Sequence, residues 1–222
     1  MMGEVAMIVV HHLNNSRSQR VLWLLEELGV PYEVKRYERD VSTMLAPASL
    51  RAVHPLGKSP VVTDGGLTLA ESGAIIEYLQ DAYPSSGAGL FPADPKPRGI
   101  ARRLIREADE YVTDSLDELL EQVLFVPQDK RNDAAITAAK DKFLAELPHW
   151  RAAAAAGKDF LVGAVGAADF TVYPFFALAL RMQKRHPSLG LDAAFGPQLT
   201  AWMRRVEALP YFEKTIPPHW RT

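Results

Sequence analysis

Two groups of residues in this chain have side chains and spacing suited to chemistry. The first is the stretch Lys58 to Gly73, KSPVVTDGGLTLAESG, which ends with Glu71 and Ser72 just ahead of the helical pattern Ala74-Ile75-Ile76-Glu77-Tyr78-Leu79. A hydroxyl and free backbone N–H groups at a helix start form a seat for a carboxylate. Ser72 also fits a plain helix cap, and the two roles are compatible. At the head of the stretch, Ser59-Pro60 opens a short strand where a missing N–H is tolerated. Lys58 beside it is either a cation for an anionic group or a solvated surface charge. The second group is the polar loop His11-His12-Leu13-Asn14-Asn15-Ser16-Arg17. Ser16 is a hydroxyl donor placed between a strand and a helix; it, or Ser18, equally fits a cap of that helix. Asn14 and Asn15 offer amide donors or form the turn, the commoner use of asparagine. Adjacent His11 and His12 point to opposite faces of a strand. With no cysteine and no clustered carboxylate to join them, no metal is expected.

Composition narrows the partners. The 222 residues carry a net charge of −2, without a basic block. That argues against a nucleic-acid partner, which needs an excess of Lys and Arg on one face. The absence of cysteine excludes disulfides, thiolate metal sites and a cysteine nucleophile. The start, MMGEVAMIVVHH, has an acidic residue and no basic n-region, so no signal peptide is expected. The longest apolar run, Phe170 to Leu180, contains Pro174 and falls well short of the ~20 residues of a membrane span. A cytoplasmic protein with no membrane partner is expected, acting on small molecules or pairing with its own copy.

These side chains need elements to position them. Met7 to Val10 reads as a buried strand. From Ser18, Val21, Leu22, Leu25 and Leu28 recur at helical spacing until Gly29 and Pro31 end the helix. Tyr32 to Tyr37 alternates as a strand. Strand, helix, strand in about 30 residues is a βαβ unit with parallel strands. Ser42 to Val53 has room for one irregular helix. Asp64-Gly65-Gly66 supplies the turn of a hairpin, and a helix then runs to about Tyr83. The order β-α-β-α-β-β-α is that of a thioredoxin-like domain. Pro84 to Pro97 reads as a linker. Beyond it the pattern is helical throughout: Arg98 to Leu124, Lys130 to Ala156, Ala168 to Arg185 and Leu199 to Leu209. The third of these is apolar almost all round and belongs in the middle of a bundle. The expected organisation is a thioredoxin-like domain over 1–84, a linker over 85–97 and an all-helical domain over 98–222.

The pieces NNSRSQRVLWLLEELGVPYE, HPLGKSPVV and LTLAESGAIIEYL together resemble the glutathione S-transferases of the serine-type bacterial and fungal kind. FLVGAVGAADFTVYP resembles that family's capping motif, with Asp169 in place but Gly166 at the cap, so a reciprocal capping box is not expected. The resemblance implies a thioredoxin-like domain followed by an all-helical one, assembled as a homodimer. It implies glutathione as co-substrate and a small electrophile or a peroxide as its target. Ser16 takes the place of the catalytic serine, with Asn14 or Asn15 as competing donors to the thiolate. Lowering a thiol pKa by about 2 units requires roughly 2.7 kcal/mol, within reach of one hydroxyl donor and a helix N-terminus. Pro60 is implied to be cis, with the backbone of Ser59 pairing with the cysteinyl part of glutathione. Ser72 and the following N–H groups would hold the γ-glutamyl carboxylate, Glu71 would face its ammonium, and Lys58 would answer the glycyl carboxylate. Tyr111 is the first choice for the electrophile pocket, ahead of Phe125, Tyr173 and Trp220. Two other readings stand beside this one. A glutathione-dependent isomerase of the maleylacetoacetate kind would carry Ser-Ser-Cys where this chain has Asn15-Ser16-Arg17. A non-catalytic glutathione-binding or scaffolding module would keep the seat and lack turnover.

Overall fold

A computed structural model describes residues 7–14, 16–43, 45–83, 89–156 and 159–216. The chain divides into two compact units, one running to Leu90 and taking up the segment from Pro210, the other spanning Phe91–Leu209. In the first unit, β1 (Ile8–Leu13) is flanked by β2 (Tyr32–Tyr37), parallel to it, and by antiparallel β3 (Val61–Asp64). β4 (Leu67–Ala70) pairs antiparallel on β3, giving the order β2-β1-β3-β4. β1 extends past the apolar run into the residues read as a loop. The parallel ladder continues through His11↔Lys35, His12↔Arg36 and Leu13↔Tyr37. That pairing outweighs the polar side chains, which alternate between faces.

Between β1 and β2, α1 (Gln19–Leu28) buries Val21, Trp23, Leu24, Leu25 and Leu28, and Gly29 closes it in the left-handed conformation at φ 64°. The apolar spacing read from the sequence is thus the face that packs; each such side chain contributes on the order of 1.5–3 kcal/mol on burial. The irregular helix is a single turn, α2 (Ala48–Arg51), whose Leu50 joins Leu13, Tyr37 and Ala46 in a buried cluster. Gly65 and Gly66 turn the β3–β4 hairpin. Asp64, expected to serve only that turn, takes the hydroxyls of Tyr78 and Tyr83 at 2.7 and 2.6 Å. It so fixes α3 (Ser72–Ala82) to the sheet. A final short helix, α9 (Phe212–Thr215), sets Phe212 edge-on to Trp23 at 5.5 Å between ring centres, while Lys214 meets Glu26 at 2.7 Å.

The second unit opens on α4 (Pro95–Glu107), inside the stretch read as linker. Asp94 caps it by accepting the Lys96 N–H at 2.9 Å, and Pro95 occupies a first-turn position where the missing N–H is harmless. The helical path continues through a π-helical turn (Ala108–Val112), α5 (Thr113–Leu120) and a second π-helical turn (Glu121–Phe125). α6 (Asp133–Ala156) follows. α7 (Ala167–Arg185) packs against α4, α5 and α8 (Leu191–Glu207). Within α8 the backbone of Gly196 is non-helical (φ 70°, ψ 171°), so the span is two helical segments: a short one from Leu191, not expected from the sequence, and the one read there as Leu199 to Leu209, which begins just after Gly196. The all-round apolar helix is central as expected: Phe176 of α7 meets Trp150 at 5.7 Å, Phe195 at 5.6 Å and Trp202 at 6.2 Å.

Gly166 at the start of α7 removes only half of the capping box. Asp169 still accepts the Gly166 N–H at 3.0 Å, and its other oxygen takes the Leu161 N–H at 3.0 Å and the Trp202 indole at 2.7 Å. Burial pushes this carboxyl up to about 6, against the pull of those donors. No helix among the described residues is long and apolar enough to cross a membrane.

Candidate functional site

The loop between β1 and α1 brings Ser16 into a cluster of hydroxyls. Its Oγ lies 3.0 Å from Ser18 Oγ and donates to Ser59 Oγ at 3.2 Å. Ser18 is fully buried at the cap position of α1, yet its backbone is helical (φ −65°, ψ −18°) and its side chain makes no cap bond. Instead Ser18 Oγ is hydrogen-bonded to His12 Nδ1. The capping alternative for these serines gives way to a polar network. Burial lowers the basicity of His12, the Arg36 charge adds to this and Glu38 opposes it, so the ring is neutral near pH 7. His11 faces the other way, with its ring nitrogens on Tyr37 Oη at 2.8 Å and Thr63 Oγ1 at 3.2 Å.

The Ser59–Pro60 peptide bond is cis. Both ladders of β3 begin at Val61, so the main chain of Ser59 stands two residues beyond the paired region. An extended peptide laid there would find a backbone edge to pair with. The side chain of Ser59 has its own task. It donates to the His11 carbonyl at 2.9 Å and accepts the Leu13 N–H at 3.1 Å, stapling the start of β3 to the end of β1. Sequence reasoning treated only its backbone as important. A hydroxyl where a branched apolar residue would serve the backbone as well was the available signal.

At the other end of the stretch, Glu71 rather than Ser72 occupies the cap position of α3, exposed and at φ 70°, ψ 114°. A non-glycine residue at positive φ is strained, and such strain concentrates at functional sites. Ser72 is the buried first residue of the helix, and its Oγ accepts from Arg20 Nη1 at 3.1 Å. The first-turn N–H groups at Ser72, Gly73 and Ala74 lie where a carboxylate gains from the helix field, and no acidic residue stands in that turn to compete. Arg20 is fully buried and was not singled out from the sequence. Its signal was an arginine four residues before Leu24 and eight before Leu28, on the packing face of α1.

The remaining candidates are placed differently. Asn14 Oδ1 accepts the Arg39 N–H at 2.8 Å and its carbonyl accepts from Arg39 Nε at 3.1 Å, so this residue fastens the exit of β2. Lys58 is exposed, and its ammonium has no partner among the described residues. Tyr111 lies in the π-helical turn of the second unit, 56% exposed. Tyr173 is buried with its hydroxyl on Glu207 at 2.9 Å, a core position rather than a pocket wall. Asn15, Trp220 and the side chain of Phe125 lie outside the described residues. Ser16, Ser59 and Pro60 thus come together, Ser72 joins them through α1 and Arg20, and in the chain Lys58 adjoins Ser59 and Glu71 adjoins Ser72.

Comparison with known proteins converges on one family. Residues 5–81 match the glutathione S-transferase N-terminal domain. Glutathione S-transferase 3 of Schizosaccharomyces pombe is 54% identical over 80 residues, covering 36% of this chain and 32% of that protein. That match, and a second to glutathione S-transferase 1 of Saccharomyces cerevisiae covering 36% of the yeast protein, span about a third of those relatives. Glutathione S-transferase GstB of Escherichia coli K12 is 27% identical over 213 residues, covering 95% of this chain and 98% of the relative. Among solved structures, the theta class glutathione S-transferase of Xanthomonas axonopodis pv. citri with glutathione bound aligns with a TM-score of 0.77 at 27% identity, covering 95% of this chain and 97% of that one.

Proposed function

Since the chain belongs to the glutathione S-transferase family, we propose that it binds glutathione along Ser59–Pro60 and the start of α3, and joins it through its sulfur to a small electrophile. The carrying observation is that Ser16, the hydroxyl donor expected beside the thiol, sits 3.2 Å from Ser59 at the cis-Pro60 corner. In this reading, the main chain of Ser59 pairs with the cysteinyl segment. Ser72 and the first N–H groups of α3 receive the γ-glutamyl carboxylate. Glu71 faces the ammonium, and Lys58 the glycyl carboxylate. Ser16 then donates a hydrogen bond to the sulfur and favours the thiolate, the form that attacks.

With a chlorinated nitroarene the balance is simple. The thiol proton leaves to solvent, the thiolate forms a carbon–sulfur bond, and chloride departs with the carbon–chlorine pair. Tyr111 is the residue we assign to the electrophile, and Asn14 is reassigned from the thiol to the support of the loop. We expect a homodimer, read by light scattering in solution.

The test compares conjugation by wild type and Ser16→Ala. Turnover should fall about 100-fold, corresponding to ~2.7 kcal/mol of lost thiolate and transition-state stabilisation, with glutathione affinity retained. Equal turnover would remove Ser16 from the mechanism. Retention on immobilised glutathione with no turnover by wild type across an electrophile panel would favour the binding module instead.

A further inference from the structure

We propose that His12 and Ser18 form a directional donor chain behind Ser16, and that this chain sets how strongly Ser16 stabilises a thiolate. The proposal rests on the transferase reading above and deepens it.

The direction follows from counting protons along the hydroxyls. Ser59 commits its single proton to the His11 carbonyl at 2.9 Å and one lone pair to the Leu13 N–H at 3.1 Å. Towards Ser16, at 3.2 Å, Ser59 therefore accepts and Ser16 donates. Ser16 has no second proton, so towards Ser18, at 3.0 Å, it accepts and Ser18 donates. Ser18 in turn has only a lone pair left for His12, which must carry its proton on Nδ1. One assignment satisfies all of these contacts: His12 Nδ1–H to Ser18, Ser18 to Ser16, Ser16 to Ser59, Ser59 to the His11 carbonyl. The Ser18 backbone N–H, 3.4 Å from Ser16 Oγ, points the same way.

This order has a consequence at the thiol. When a thiolate arrives, the chain gives up only the Ser16–Ser59 contact, at 3.2 Å longer than an ordinary O–H···O bond. Ser59 keeps its two other partners. Ser16 meanwhile keeps receiving a hydrogen bond from Ser18, and a hydroxyl that accepts is a better donor because such chains polarise cooperatively. If His12 carried its proton on Nε2 instead, Ser18 would turn towards the ring and Ser16 would lose that support. The charged groups bearing on His12 are Arg36 and Glu38 of the β2 side, and they oppose one another. Protonation of the ring would keep Nδ1–H, so acidification leaves the chain's direction intact. The absence of a cap bond from Ser18, in the position where serine ordinarily caps, is explained by the same commitment.

The experiment measures the pH midpoint of thiolate formation for glutathione bound to the full-length protein, by ultraviolet absorbance, together with KM for glutathione and kcat. Ser18→Ala and His12→Ala should each raise the midpoint by about one unit, a tenfold loss of thiolate below it, while KM stays within about twofold. His12→Asn, whose amide N–H takes the place of Nδ1–H, should return the midpoint to the wild-type value. His12→Gln, whose amide reaches the Nε2 position, should not. Midpoints unchanged in Ser18→Ala and His12→Ala, with a raised midpoint in Ser16→Ala, would overturn the chain and leave the transferase reading standing. An unchanged midpoint in Ser16→Ala would remove the reading itself, and the chain with it. Ser18 is fully buried; if its variant does not fold, the half-buried His12 series decides alone.

Discussion

Arg20 Nη1 donates to Ser72 Oγ at 3.1 Å, tying the first turn of α1 to the first turn of α3. The contact joins the helix that follows the Ser16 loop to the helix whose N-terminus is proposed to hold a carboxylate. Arg20 has no exposed surface of its own. In the proposed binding mode its part is therefore to fix Ser72 and its neighbouring N–H groups, without reaching the ligand.

A double-mutant cycle measures that role. Arg20→Met and Ser72→Ala should each weaken glutathione binding about tenfold, or ~1.4 kcal/mol. The double variant should be little worse than either single one, because both remove one contact. Titration calorimetry decides it. Additive losses would mean that Arg20 and Ser72 act on the ligand separately.

Ser59→Ala separates the staple from the binding edge. It leaves the Leu13 N–H without its acceptor and the His11 carbonyl without its donor. Unfolding free energy should fall by about 1–3 kcal/mol in a urea titration. Ser16 loses its resting acceptor, so its proton is available to the thiol from the start. Turnover per folded molecule should hold or rise. A loss of turnover in step with that of Ser16→Ala would instead place the Ser59 hydroxyl in the chemistry.

The strands, α1, the hairpin and the central α7 were legible in the sequence because each depends on local periodicity or on a turn that only Gly or Pro favours. Ser16, Pro60 and Ser72 were picked out as candidates in part for the same reason, standing at element ends, and took their proposed roles from the family resemblance. The residues that support them were not. Arg20, Ser18 and the Ser59 hydroxyl act across 52, 6 and 46 positions of sequence, and the local marks they carry do not say which partner satisfies each side chain after folding. The start of α4 was hidden for a different reason. Pro95 and Pro97 mark a linker and a helical first turn equally well until the cap at Asp94 is seen.

Glu71 stands at φ 70°, where a β-carbon is unfavourable and glycine is not. Glu71→Gly should leave stability unchanged or raise it by up to about 1 kcal/mol, since relief of strain competes with the added freedom of the unfolded chain. Glutathione binding should weaken about tenfold with the loss of the carboxylate proposed to face the ammonium. Thermal unfolding with and without glutathione reads both effects. A destabilised variant with full affinity would show that the side chain serves the fold and the strain has no functional counterpart.

Asp169 makes stability depend on pH in the direction opposite to a salt-bridged carboxylate. Its folded-state value is pushed up to about 6 from an ordinary 3.8, chiefly by burial. Between those values the folded protein holds a proton that the unfolded chain releases, so stability falls as pH rises through that window, by roughly 3 kcal/mol in all. Asp169→Asn removes the titration and keeps a carbonyl for the Leu161 N–H and the Trp202 indole, while the Gly166 N–H loses its acceptor. Urea unfolding followed by tryptophan fluorescence should show wild type losing stability relative to Asp169→Asn between about pH 4 and pH 7. A constant or widening margin over that range would show that the three N–H donors hold the carboxylate ionised in the folded state, and that burial is the weaker of the two effects.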